Sequence, residues 1–351
     1  MSTTKHRIQS FDQFKGQVNV ISHLRIKAAS AKKTGVPLSH MAFFGPKGTG
    51  KTTIAQILAN ELGVHLVKAV AKKTTTEADL LALFRQLTPG CIFFMDEAHA
   101  LRASVQELLY ELLEDFQYRW YNTAEKEPYI TEVQPFTFIA ATTSAGCLTE
   151  PLLSRIPSQH VFIPYSLEEV SDIIDTLTQN LYGLTLDPGI STVLAKLSSG
   201  TPRIAGGLVK KLVEMANGLT TATLTARDLN GSTINQMLKL EGVDPYIGLN
   251  SMHRQYLMAL LREGAPMGRD GLAKIMDMEE STIGNLVEPQ LFNEVTLPVF
   301  GEKASDTTYL TGSLVKRTSR GRILTEMAVH YLNLCAAMQK LGWFNGEKLV
   351  K

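Results

Sequence analysis

"FFGPKGTGKTTIAQ", residues 43–56, sets three glycines, two lysines and a pair of adjacent threonines between an apolar run and a helical one. The spacing Gly45-x4-Gly50-Lys51-Thr52 is the full P-loop pattern. Glycines let the backbone turn its N–H groups inward, and Gly48 and Gly50 leave room for a phosphate to approach. Lys51 supplies charge to the β and γ oxygens, the Thr52 hydroxyl suits a magnesium ion, and Thr53 follows in the same turn. Met41–Phe44 before the loop has strand character. Ile54, Ile57, Leu58 and Leu62 after it recur at helical spacing, and Gly63 is a stop signal. The phosphates therefore meet a helix N-terminus.

A nucleotide-binding loop needs a second element to hydrolyse. "CIFFMDEAH", residues 91–99, is an apolar strand that ends in two carboxylates. Asp96 is placed to hold magnesium and Glu97 to act as a base on the attacking water. "PFTFIAATTSAG", 135–146, is a further strand whose end carries Thr142 and Thr143, with Thr143 a candidate for touching the γ-phosphate or the water. "LTEPLLSRIPSQH", 148–160, carries Arg155. "SGTPRIAGGLVKKL", 199–212, puts Arg203 in the first turn of a helix, where it opposes the dipole and so suggests an anionic partner.

The composition fits this reading. The chain has 351 residues, 44% hydrophobic and 20% charged, enough for two or three domains with sizeable cores. The net charge of +1 confines any polyanion binding to a local patch. Cys91, Cys147 and Cys335 are odd in number and lack metal spacing, so neither a disulfide framework nor a zinc site is indicated. There is no apolar signal region or membrane-length apolar stretch, so the expected setting is the cytoplasm.

Seven stretches together resemble the RuvB family of AAA+ motors. They are "SFDQFKGQ" (10–17), "GPKGTGKTT" (45–53), "DEAH" (96–99), "PFTFIAATTSAGCLTEPL" (135–152), "SGTPRIA" (199–205), "VEPQL" (287–291) and "KRTSRGR" (316–322). The resemblance implies an ATP- and magnesium-dependent motor, a homo-hexameric ring, that drives branch migration of four-way junctions on double-stranded DNA. It implies that Arg7 lines the base pocket, and that Glu114, Asp115 and Phe116 approach the nucleotide. Arg155 becomes an arginine finger on a neighbouring copy's γ-phosphate. Tyr165 and Arg203 become lid-side nucleotide contacts, and Arg317 and Arg322 DNA contacts. Lys47 and Ile8 stand where the family usually has proline. The finger segment keeps one arginine of two, and about fifteen extra residues fall near 296–311.

The expected fold is α/β. A P-loop AAA+ parallel-sheet domain occupies 1–165, with strands near 41–44, 64–70, 91–95, 136–141 and 160–164 alternating with helices. A helical lid spans 166–243, a winged helix 244–335 with the insertion, and a tail without a clear role 336–351. Ser104 and Glu107 suggest a capping box. "QYRWYNTAEKEPYITEVQ", 117–134, reads as a β-hairpin, which in the family docks the junction-binding partner RuvA. DPYIGLN, 244–250, reads as a linker, and Ser281 as the cap of a second helix in a helix-turn-helix. "KRTSRGR" has four basic residues and no acid, a patch suited to phosphate. Two other classes share these features: a clamp-loader or helicase-loader ATPase, and a nucleotide-switched winged-helix regulator.

Overall fold

Apolar runs of four to six residues build the first unit. In the computed structural model, which describes residues 8–122, 127–187, 189–198, 200–220, 223–300, 306–344 and 347, they become strands β1 (Met41–Phe44), β2 (Leu66–Val70) and β3 (Ile92–Asp96). A hairpin follows, β4 (Gln117–Asn122) and β5 (Glu127–Glu132), then β6 (Thr137–Thr142) and β7 (Ser158–Val161). Five strands pair in parallel in the order β2-β3-β6-β1-β7. Alternate residues serve opposite faces, as the pleat dictates. Phe93 and Met95 join Leu80, Phe84, Leu109, Leu112 and Phe138 on one side. Ile92 and Phe94 join Leu24, Phe43, Ile54, Leu58 and Ile139 on the other. Covering both faces is why the central strands β1, β3 and β6 are buried along nearly their whole length.

This order puts the C-terminal ends of β1, β6 and β3 side by side, the usual place for a ligand in an open α/β sheet. Gly45–Gly50 leaves β1, Asp96 ends β3, and Thr142 ends β6.

Two local expectations are corrected here. The last strand forms at Ser158–Val161, not at 160–164. Its register is set by β1, with His160 opposite Phe43, and Pro164 has no N–H with which to continue. The Ser104–Glu107 capping box does not form. The helix Ala103–Glu114 starts a residue earlier, with Arg102 as its cap and the N–H groups of Val105 and Gln106 donating to Arg102 O at 3.0 Å. The Gln106 amide then ties this helix to the loop before the next one. It donates to Leu101 O (3.0 Å) and Cys147 O (3.2 Å) and accepts from Thr149 N (2.9 Å).

The hairpin read at 117–134 is present, with Trp120 opposite Tyr129; residues 123–126 at its tip lie outside the described residues.

The chain divides into Met1–Ile173 with Thr201–Arg203, and Ile174–Gly200 with Ile204–Lys351. The second unit holds the helices Ile190–Leu197 and Gly231–Leu240 and the helix Pro202–Leu219 from Ile204 onward, together with the residues of the winged helix. The segment 244–250 is no loose linker. Asp244 is fully buried and accepts the N–H groups of Tyr246 (2.9 Å), Ile247 (2.8 Å) and Leu249 (2.6 Å) and the hydroxyl of Tyr331 (3.0 Å). A short Asp side chain can satisfy a turn's own amides, so the polar letters there mark a fixed turn.

The winged helix runs through the helices Ser251–Glu263 and Arg269–Met276. A broken helix follows, Glu280–Thr282, a π-turn Ile283–Val287, and Glu288–Phe292. The break precedes Pro289, which lacks an N–H for the α ladder. Ser281 does not cap this helix. Glu279 holds that position, and the Ser281 hydroxyl donates to the Glu279 carboxylate at 3.1 Å. The extra residues near 296–311 pair as strands β8 (Glu294–Val299) and β9 (Thr308–Ser313), and 301–305 lie outside the described residues. The basic stretch is itself a hairpin, β10 (Val315–Thr318) and β11 (Gly321–Leu324).

The segment read as a tail is structural. Helix Glu326–Lys340 runs through it, burying Cys335 and Met338, and Phe344 is buried beyond. Glu347 accepts from Arg254 Nε at 2.7 Å, and the Arg254 guanidinium lies 3.8 Å from the Phe344 ring centre. Arg254 is completely buried, so this pair closes an otherwise costly desolvation.

Among the described residues no helix is long and apolar enough to cross a membrane.

Candidate nucleotide site and wing

The loop after β1 has the backbone its glycines foretold. Gly45 (φ 143°) and Gly50 (φ 100°) lie in the left-handed region. A Cβ on Gly45 would stand 2.2 Å from Phe162 O, and one on Gly50 2.7 Å from Phe14 Cζ. Gly48 faces the start of the Pro202–Leu219 helix, where a Cβ would stand 3.1 Å from Arg203 Cβ. Arg203 itself is exposed in that first turn, and Tyr165 is buried with its hydroxyl donating to Thr49 O at 3.0 Å. Burial raises the Tyr165 pKa, so the phenol stays protonated and a donor.

Lys51 is largely buried and folds back on the loop, its ammonium donating to Gly45 O (2.8 Å) and Pro46 O (2.7 Å). Burial lowers its pKa, while Asp96 and Glu97 pull it back up. Thr52 and Thr53 are half-buried in the first helical turn. A positive-φ loop with a lysine at its end, beside two carboxylates, fits the nucleotide-binding role of a P-loop.

The acidic pair is more elaborate than its spacing suggested. Asp96 Oδ1 accepts the Glu97 N–H at 3.0 Å, and Glu97 has φ 53°, unusual for a residue with a Cβ. Glu97 Oε1 pairs with Lys47 Nζ at 2.9 Å. Glu97 Oε2 is buried, accepts no hydrogen bond among the described residues, and lies 3.4 Å from His99 Nδ1. That same nitrogen is 3.0 Å from Thr142 Oγ1. The β6 threonine linked to the carboxylates is therefore Thr142, and Thr143 is exposed beyond it. Lys47 and His99 were not singled out from sequence for this cluster. The signal for His99 lay in the DEAH letters, and Lys47 stood in the P-loop itself.

Arg155 does not reach these groups. Its Nε and Nη2 both meet Glu114 Oε2, at 2.9 and 2.8 Å, Nη1 donates to Pro151 O at 3.0 Å, and the guanidinium lies over the Tyr110 ring. Asp115 is exposed at the end of its helix. Phe116, at φ 52°, packs its ring against Phe136 and His40. Arg7 lies outside the described residues.

In the second unit, Arg317 and Arg322 converge on one carboxylate. Glu288, 1% exposed, accepts Arg322 Nε at 2.7 Å and Arg269 Nη2 at 2.9 Å, with Arg317 Nη2 at 3.5 Å. The Tyr256 hydroxyl also donates to it at 3.2 Å. Arg322 is mostly buried by this, whereas Arg317 is 62% exposed and stacked on Phe292. The wing thus presents Arg317, Lys316 and Arg320 outward.

A P-loop after β1, a carboxylate pair at the end of β3, one strand away across β6, and a basic winged helix define a P-loop ATPase of the AAA+ type with a DNA-binding module. The comparisons narrow this further. Residues 6–161 match the family model described as the Holliday junction DNA helicase RuvB P-loop domain, and 246–297 the RuvB C-terminal winged helix domain. The chain is 33% identical over 337 residues to the Holliday junction branch migration complex subunit RuvB of Paracoccus denitrificans, covering 94% of this chain and 91% of that one. The subunit of the same name from Acholeplasma laidlawii is 32% identical, over 93% and 91%. Among solved structures, the Thermotoga maritima RuvB Holliday junction branch migration motor superposes with a TM-score of 0.74 at 30% identity, covering 94% and 99%. The chain belongs to the RuvB family.

Proposed function

We propose that this protein is an ATP-driven DNA motor that promotes branch migration of Holliday junctions in recombination and repair. The observation that carries the reading is the pairing of a complete P-loop and Glu97 with an outward basic wing in a chain that matches branch-migration subunits over nearly its whole length. Lys51 and the loop amides hold the triphosphate, and Glu97 takes the proton of the attacking water. Thr52 and Asp96 would hold magnesium, which when bound would supply charge neutralisation at the phosphates. Among the described residues Arg155 bonds to Glu114 and Pro151 and not to its own P-loop, which supports a finger acting on a neighbouring copy and hence a ring, a homo-hexamer. Arg203 at the start of a lid helix links the phosphates to lid movement. Arg317 and its basic neighbours grip phosphate, so the motor need not read sequence. The hairpin 117–134 is the surface for a RuvA-like junction-binding partner, and the cytoplasm is the place of action. The test is steady-state ATP turnover alone, with duplex and with a four-way junction. Turnover rising with DNA supports the motor; nucleotide binding with no turnover on any DNA overturns it in favour of a switch.

A further inference from the structure

Three arginines of the second unit meet at one carboxylate, and one carboxylate cannot neutralise three. Glu288 is 1% exposed. Its Oε1 accepts Arg322 Nε at 2.7 Å and the Tyr256 hydroxyl at 3.2 Å. Its Oε2 accepts Arg269 Nη2 at 2.9 Å, with Arg317 Nη2 at 3.5 Å. Two positive charges are left over. Arg322 does not carry them outward, because its side chain is 17% exposed and Nε and Nη2 both turn to Glu288. Arg317 and Arg269, 62% and 33% exposed, share the Oε2 side and bring the surplus to the surface.

Arg269 is only partly used by this contact. A guanidinium has five N–H donors. Among the described residues only Nη2 makes a hydrogen bond; Nη1 has no acceptor, and Nε is buried without one. Helix stability does not call for the charge either. Arg269 is the first residue of the helix Arg269–Met276, where the dipole disfavours a cation. The neighbouring helix makes room for it. Gly284, in the π-turn Ile283–Val287, lies against the guanidinium, and a Cβ there would stand 3.1 Å from Arg269 Cζ and 3.2 Å from Nη1. Glu280, the other carboxylate whose field reaches Arg269, is exposed and forms no ion pair with it among the described residues. Two guanidiniums held on one side of a buried carboxylate, each with solvent access and unspent donors, suit a phosphate, whose oxygens match such planar forks.

We propose that Arg269 is a phosphate contact of the winged helix, gripping the duplex backbone beside Arg317 while Arg322 anchors the cluster through Glu288. The proposal rests on the reading of the basic winged helix as a DNA-binding surface.

The experiment titrates the full chain onto a fluorescein-labelled duplex of arbitrary sequence, read by anisotropy across a salt series. Arg269→Gln keeps an amide that can donate to Glu288 and removes the charge; Arg269→Lys keeps a charge. Arg269→Gln should reduce the slope of log K against log salt by about 0.9 for each copy on the duplex. For one such copy that is a loss of about eightfold in affinity at 0.1 M salt, fading towards 1 M. Arg269→Lys should keep the wild-type slope. In an Arg317→Ala background, Arg269→Gln should lower the slope again by a similar amount. A purely structural role would remove a fraction of competent protein and weaken binding by one factor at every salt concentration, leaving the slope alone. That result overturns the proposal, as does unchanged binding in Arg269→Gln or an equal loss of slope in Arg269→Lys. If Arg317→Ala also leaves the slope at its wild-type value, it is the reading of the winged helix as a DNA surface that fails. If Arg317→Ala lowers the slope and Arg269→Gln does not, only Arg269 is excluded.

Discussion

Replacing Glu288 with Gln should unfold the winged helix more easily by an amount that the structure allows to be estimated. The carboxylate is 1% exposed and takes hydrogen bonds from Arg322, Arg269 and Tyr256. Removing one partner of a buried pair costs about 3–5 kcal/mol, because the other charge is left unpaired. Arg269 and Arg317 retain solvent access at 33% and 62%, so their share is discounted; exposed pairs are worth about 0–1 kcal/mol. Arg322 and the buried Tyr256 hydroxyl carry most of the loss, and Gln keeps one acceptor, which leaves about 2–4 kcal/mol. Trp343 packs on the same core and is one of two tryptophans, so its fluorescence in a Trp120→Phe background reports this unit. With a urea slope of about 2–3 kcal/mol/M, the midpoint should fall by about 1 M. The effect also has a defined pH range. Burial pushes the Glu288 carboxyl up, but hydrogen bonds from Arg269 and Arg322 outweigh it and hold the pKa below its ordinary 4.5. A group depressed in the folded state contributes stability above its unfolded pKa and loses it as pH falls through the folded one. The gap between wild type and variant should therefore hold above pH 4.5 and close in more acid solution. A midpoint shift under about 0.2 M at pH 7 would refute the buried-cluster argument.

Lys51→Ala should abolish nucleotide binding, read by fluorescent-analogue titration; wild-type affinity would remove the phosphate role. Arg155→Ala should bind nucleotide yet hydrolyse at least about a thousandfold more slowly, as for a lost arginine finger. Mixing it with Glu97→Gln copies should restore some turnover, and no rescue at any ratio would argue against action between copies. Arg317→Ala should weaken duplex binding and reduce the slope of log K against log salt by about 0.9, the value for one phosphate contact. Arg322→Ala should instead act mainly through stability, since its guanidinium is spent on Glu288; equal salt slopes for the two variants would contradict that division.

Most of the sheet was legible because its strands are short apolar runs bounded by clear turn letters, as in Met41–Phe44 before Gly45. The last strand was misplaced because Ser158 and His160 are polar yet buried, and only pairing with β1 explains them. Caps at Ser104 and Ser281 failed for a shared reason. Both serines lie one or two residues inside helices whose starts are set by neighbouring backbone contacts, which local letters do not encode. The Asp244–Tyr331 bond and the Arg254–Glu347 pair were invisible because the partners are far apart along the chain. In the candidate site, Lys51, Asp96 and Glu97 were legible as candidates because each lies in a short local motif at the end of an apolar strand, where the structure also has them. Lys47, His99 and Glu288 were not, because each acts by turning a side chain toward a partner that only folding brings near.

The central claim is that hydrolysis at the P-loop drives movement of a four-way junction. A synthetic mobile junction incubated with the protein tests it, with products separated by gel and ATP, a non-hydrolysable analogue or Glu97→Gln protein compared. The account expects conversion to duplex products with ATP and wild-type protein alone. Equal conversion with the analogue or with the Glu97→Gln protein would contradict it.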